Sequence, residues 1–273
     1  MKPTLLVLAL LAVTIGAPVA DARFTIQIRN CGIVVDRGQA GILMNDLDCG
    51  HVWGTCWTCP GGVSCTQIAP AIPCSGPSDC PDPASDKCDG GEFTPSVGVY
   101  VPPGGRLYLN GHSIRNVQFA ILGSYPDGTA AGGARIKIIG PGTVERTRQG
   151  LTAANGDVSL GVTFRDSLYG LAVSKVRAKD TVASNNTIGI SAYNTIRATR
   201  VTADDNLALG FLSYEGARIT YSHATGNGIA DVTTELPPRV THTTCDHSAA
   251  LVETATPGIY SATGPPWGFC SGD

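Results

Sequence analysis

The stretch VRAKDTVASNN occupies Val176–Asn186; IRATRVTADDN follows at Ile196–Asn206 and ARITYSHATGN at Ala217–Asn227. Stacked without gaps, each segment has Arg second (Arg177, Arg197, Arg218), Ala eighth (Ala183, Ala203, Ala224) and Asn eleventh (Asn186, Asn206, Asn227). A glycine and an apolar residue follow within four positions: Gly189-Ile190, Gly210-Phe211 and Gly228-Ile229. A fixed period of about twenty residues is the mark of a stacked repeat. Short alternating runs such as Val158-Leu160-Val162-Phe164, with no amphipathic helix spacing, make the repeated unit a set of short strands. Leucine-rich repeats share the period, but their L-x-x-L-x-L series is absent.

One such unit cannot bury its own apolar positions. Neighbouring coils must stack and pair parallel strands along the length, so that equivalent residues form columns about 4.8 Å apart. Asparagine suits the tight corners of such a coil, and a stack of inward amides can bond to the amides above and below. The pattern reaches upstream in GGRLYLNGHSI (Gly104–Ile114) and GARIKIIGPGTV (Gly133–Val144), in Gly150-Leu151 and Gly170-Leu171, and downstream in PRVTH (Pro238–His242). In DVSLGVTFRD the position matching the arginine is Ser159.

The LYLNGHSI segment followed by coils of the VTADDN type resembles secreted right-handed parallel β-helix repeat proteins of the pectate-lyase-like superfold, over Pro95–His242. The resemblance implies an all-β, right-handed parallel β-helix with about 20 residues per coil. It leaves function open, because one superfold hosts many activities. The segment CGIVVDRGQAGILMNDLDCG resembles the opening coil of such proteins, which implies a Cys31–Cys49 disulfide. His112, in NGHSI, is expected to be structural.

The expected organisation is a signal peptide at 1–22, an N-terminal cap and first coil at 23–50, a Cys-rich insertion at 51–91, coils at 92–242 and a C-terminal cap at 243–273. Lys2, the run LLVLALLAV and Ala20-Asp21-Ala22 carry the signal-peptide reading. No stretch approaches the roughly 20 apolar residues of a membrane span. Ten cysteines suit an oxidising compartment, secreted or periplasmic. The insertion holds Cys56, Cys59, Cys65, Cys74, Cys80 and Cys88 without strand periodicity; it reads as a disulfide-stapled loop of open connectivity, with no zinc spacing around Cys56-x-x-Cys59. Trp53 and Trp57 in it suit either sugar stacking or a small apolar core. Cys245 and Cys270 bracket a Pro/Gly-rich tail, expected to close as a disulfide over the exposed end of the stack.

Lys and Arg total 19 against 22 Asp and Glu, so no overall basic character invites nucleic acid, and any attraction to anions is local. The local candidate is the column Arg106, Arg135, Arg177, Arg197, Arg218 and Arg239, with Lys137 and Lys179 on the same face. Like charges about 4.8 Å apart repel by about 0.9 kcal/mol even in water, so stacking alone does not favour the column. Guanidinium forks suit repeated carboxylates or sulfates, and the expected partner is an anionic polysaccharide of the extracellular matrix or cell envelope. The bland alternative is that each arginine covers apolar surface with its stem and pairs with acids such as Asp180 and Asp205.

The competing function is a lyase acting on uronate polymers. Its candidate residues are Lys179 and Arg200, beside Arg177 and Arg197, with Tyr221 as proton donor or acceptor. No three acids converge in the stacked alignment, which leaves no metal site; His223, His242 and His247 match no metal spacing. Neither cofactor nor membrane partner is expected, and the chain is read as a monomer.

Overall fold

The computed structural model describes residues 25–36, 38–50, 97–124, 135–256 and 259–273, and the backbone of Gly54–Thr58, Thr66–Gln67, Pro73–Cys74 and Asp86–Asp89. The expected signal peptide, the pairing of the six insertion cysteines and the side chains of Trp53 and Trp57 lie outside the described residues. The described residues are all-β, with one sheet of 18 strands running from Thr25–Ile28 to Ser248–Ala250 through parallel pairs. Asp157 pairs with Arg177, Arg177 with Arg197, Arg197 with Arg218 and Arg218 with Arg239, so the chain returns to the same position after 20 or 21 residues. Each return adds one rung.

The rung at residues 188–206 shows why these residues fold this way. Ile190 and Ala192 point inward from its first segment, and Ile196 and Ala198 from its second; all are essentially inaccessible. Arg200 then turns a corner at φ 52°, the short segment around Val201 and Ala203 follows, and Asp205 turns a second corner at φ 55°. The first corner recurs at Asn110, Leu160, Asp180, Arg200, Tyr221 and His242, and the second at Asn116, Arg146, Asp166, Asn185 and Asp205, with Gly226 in the next rung. Left-handed backbone disfavours most L-residues, so single-residue corners at fixed positions need strong support from the packing around them.

At the second corner that support comes from the asparagines; beside the first, the Val201 N–H donates to the Ser222 hydroxyl and the Ser222 N–H to that of Thr243. The Asn186 backbone N–H donates to Oδ1 of Asn206, and the Asn206 N–H donates to Oδ1 of Asn227, both at 3.0 Å. Each side-chain amide also donates to a carbonyl of the preceding segment: Asn186 to Phe164, Asn206 to Ala183 and Asn227 to Ala203. All three amides are buried. The ladder runs further than the asparagines do, because Ser167 and Thr147 continue it towards the N-terminus. At the other end, Oδ1 of Asp231 accepts from Nδ2 of Asn227, while Oδ2 takes the N–H groups of Asp246 and His247.

The glycine series is tied to the same ladder. A Cβ on Gly189 would come within 2.7 Å of the Ala183 carbonyl and 2.9 Å of Nδ2 of Asn206, and Gly210 is confined in the same way by Ala203 and Asn227. Gly228, which the repeat alignment matches to these glycines, is out of register with them. Leu209 pairs with Ala230 and Phe211 with Val232, so Asp231 holds the glycine position. Its carboxylate fills the space beneath the last amide.

Among the described residues, two disulfides close the ends. Cys31–Cys49 pins the first rungs and Cys245–Cys270 ties down the C-terminal segment, both as expected. Parallel pairing runs past His242 as far as Ser248–Ala250, so the repeat persists beyond the sequence motif that announces it. The segment after it bonds back on Ala250 and forms the hairpin Val252–Glu253 with Tyr260–Ser261. The insertion, expected to lack strands, forms a small antiparallel sheet of its own in which Gly54–Thr58 pairs with three short strands. Two of those strands have only two residues, too few for any alternation to be read. Among the described residues no helix is long and apolar enough to cross a membrane.

Two substitutions test this construction. Asn206→Ala strands the buried N–H of Asn186 and the Ala183 carbonyl, so urea unfolding with the disulfides intact should register a loss of about 2 kcal/mol or more. Asp273 reports on the C-terminal segment. Burial raises the pKa of its carboxyl, but bonds from the Ser248 hydroxyl and from the N–H groups of Ser248, Cys270 and Phe269 outweigh that and hold it below its ordinary value. Its stabilisation is therefore complete above the ordinary carboxyl pKa and is lost as pH falls through the lowered one. The stability gap between the parent and Asp273→Asn should close across that acid window.

Candidate anion-binding face

The outward face of the second segment of each rung is set by its inward residues. Leu107, Ile138, Val158, Ala178, Ala198 and Ile219 are buried in register, and side chains alternate along a strand. The residue before each of these must therefore point outward. The resulting column is Arg106, Lys137, Asp157, Arg177, Arg197, Arg218 and Arg239.

This composition differs from the sequence expectation in two places. Arg135 lies two residues ahead of the column: its carbonyl accepts from Gly104, its Nε is buried without a described partner, and Lys137 takes its place opposite Arg106. The rung from Arg106 to Lys137 is longer than the repeat, so counting from arginine to arginine stops two residues short of the position that the strand register sets opposite Arg106. Ser159 lies two residues past the column. It pairs with Lys179, and the position beside Arg177 is Asp157. The column thus holds six cations and one acid, with four consecutive arginines from Arg177 to Arg239.

All six cations are exposed, and none forms an ion pair with a described carboxylate. Arginines elsewhere do pair: Arg115 with Asp48 at 3.1 Å, Arg165 with Glu145 at 2.6 Å and Arg200 with Asp180 at 2.6 Å. Asp180, offered as a partner for the column, belongs instead to the corner. Arg200 grips it through Nε and Nη2, lowering the Asp180 carboxyl from its ordinary pKa and raising that of the guanidinium.

The second outward column runs Tyr108, Ile139, Ser159, Lys179, Thr199, Thr220 and Thr241. The hydroxyls of Thr199 and Thr220 are 3.1 Å apart. Lys179 is therefore a diagonal neighbour of Arg197, in a row of hydroxyls. Of the candidate catalytic residues, Arg200 is committed to Asp180, and Tyr221 lies in a 10° stack on His242 with ring centroids 4.8 Å apart. Lys179 is exposed on the open face.

The histidines are dispersed. His223 sets Nδ1 at 2.8 and 2.9 Å from the two carboxylate oxygens of Asp204, His242 stacks on Tyr221, and His112 faces Asp46 at 3.5 Å. No group of three His, Cys, Asp or Glu side chains converges among the described residues.

Sequence reasoning passed over a second exposed feature, the tyrosines Tyr193 and Tyr214. They stand at one position of consecutive rungs, 5.6 Å apart between ring centroids. Their separation of 21 residues, equal to the repeat step there, is the signal that identifies them. Comparison of the chain with protein-family models, with curated proteins and with solved structures finds no match.

Proposed function

We propose that the chain is an exported right-handed parallel β-helix of the pectate-lyase-like kind that binds anionic polysaccharide along its arginine column, as a monomer and without chemistry of its own. The observation that carries this reading is the line of exposed cations Arg106, Lys137, Arg177, Arg197, Arg218 and Arg239, spaced by the strand repeat and lacking described ion pairs. A polymer with carboxylates or sulfates at regular intervals meets such a line at several forks at once, and this converts weak exposed pairs into useful affinity. Right-handed coiling draws support from the strong preference of parallel strand crossovers for that hand. Export draws support from the disulfides at both ends, and the monomer from the C-terminal segment bonded across the last rung.

The lyase reading has the weaker support. It needs a base close to a cationic cluster, and although Lys179 stands beside Arg177 and Arg197, Arg200 is neutralised by Asp180 and Tyr221 is stacked on His242.

The experiment is binding of pectate, alginate and heparin by the parent and by Arg177→Ala with Arg197→Ala. The parent should bind at least one polymer in a salt-sensitive way, and the double substitution should weaken that binding about tenfold, the sum of two exposed ion pairs. Equal binding by both proteins makes the column ordinary surface. Ultraviolet absorbance followed in the same incubations should stay flat; growth of unsaturated uronate product would favour the lyase instead.

A further inference from the structure

On the first segment of each rung the outward residues are small. Thr152, Ala172 and Ser191 are in register, and the next member, Leu212, is already buried beneath the C-terminal segment. At the end of this segment the register shifts between Val173 and Lys175, so Tyr193 and Asn194 together face Ser174 alone. The extra residue lifts the Tyr193 ring into solvent, where it is 71% exposed. Beneath it Tyr214 is half-buried, tilted by 31°, and braced edge-on at 5.3 Å by Tyr260. The low floor and the raised tyrosines together form a groove of about 540 Å³ that extends back to Gln149 and Tyr169.

The lining chooses its own ligand. Among the described residues, no lysine, arginine, aspartate or glutamate lines the groove. At the Tyr260 end, the nearby carboxylates of Glu235 and Glu253 push that phenol's pKa up, so negative potential gathers there. An anionic chain is disfavoured at this place. What remains is an exposed aromatic face, small residues that let a ligand lie close, and the polar groups of Ser191, Thr152 and Gln149. The Thr152 hydroxyl bonds to Oε1 of Gln149, which leaves the amide's NH₂ group as donor. A pyranose ring has this same division, with an apolar C–H face and a rim of hydroxyls, and aromatic rings with a few fixed polar groups recognise it. The volume lies inside the range of about 300–1,000 Å³ usual for small-ligand sites, and the three rung steps from the rung of Thr152 to that of Tyr214 span about 14 Å.

We propose that this groove is a second saccharide site, separate from the arginine column, which takes an uncharged glycan chain with a sugar ring stacked on Tyr193 and Tyr214 and its hydroxyls bonded by Ser191, Thr152 and Gln149. It does not depend on the anionic-polymer reading, since no residue is shared between the two faces.

Calorimetric titration with cellohexaose, mannohexaose and laminarihexaose tests it, using the full chain. The parent should bind at least one of the three, with little dependence on salt. Tyr193→Ala should weaken that binding about tenfold while leaving the unfolding midpoint unchanged, because the ring is mostly exposed. Tyr193→Phe should keep it, and Arg177→Ala with Arg197→Ala should bind as the parent does. The proposal is overturned if none of the three hexaoses binds the parent, if Tyr193→Ala binds as tightly, or if the arginine substitutions abolish the binding. Failure of the anionic polymers alone leaves these outcomes unaffected, so the two sites stand or fall separately.

Discussion

A polar amide is tolerated in a protein interior when each of its donors and acceptors has a partner. Asn186, Asn206 and Asn227 meet that condition only when stacked, since each supplies the acceptor for the rung before it and takes a carbonyl of the segment it turns away from. A slip of one residue would strand several buried groups at once. The ladder therefore locks the register of every rung it passes through, and the left-handed corners beside it are held by that lock. Gly189 and Gly210 follow from it, because the amides occupy the space a side chain would need.

A locked register turns a one-dimensional sequence into columns, and columns are what a surface can use. Residues 20 or 21 apart become neighbours at strand spacing, so one residue type repeated at that step becomes a line on the surface. Two lines result, on different faces. The arginine line gathers positive charge at a spacing that like charges resist, whereas the corner beside it resolves its charges locally through Asp180 and Arg200. The tyrosine line is uncharged and depends on a register irregularity, which raises the ring above a floor of small residues. Chemically the faces are complementary: one suits carboxylates or sulfates, and the other an apolar ring face rimmed by hydroxyls.

The end of the ladder shows how much of this was legible in the chain. Periodicity identified the repeat, its inward alanines and its asparagines, because each recurs with an interval free of insertions. It misassigned Gly228, since the loop before Ala230 has the composition of the earlier rungs but a different path, and Asp231 enters the glycine position to cap the stack. The arginine column was legible from Arg177 to Arg239, where the same residue recurs at each step. It failed at Arg135, where a longer rung shifts the count by two residues, and at Ser159, which points outward on the far side of buried Val158 from Asp157. Parity is the same within each pair, and only the strand register places Lys137 and Asp157 in the column.

Local chemistry, readable in one dimension, thus determined the class of structure: short alternating strands at a period of about twenty residues, asparagines that must be satisfied, and cysteines positioned to close both ends. The tertiary structure decided which residues share a face. It placed Lys137 and Asp157 in the arginine column, withdrew Arg200 into a pair with Asp180, and raised Tyr193 over a groove whose other wall comes from coils up to 44 positions earlier, at Gln149. The physical reason is that strand parity and register are properties of packed neighbours, and a single insertion or bulge changes both without altering the local composition.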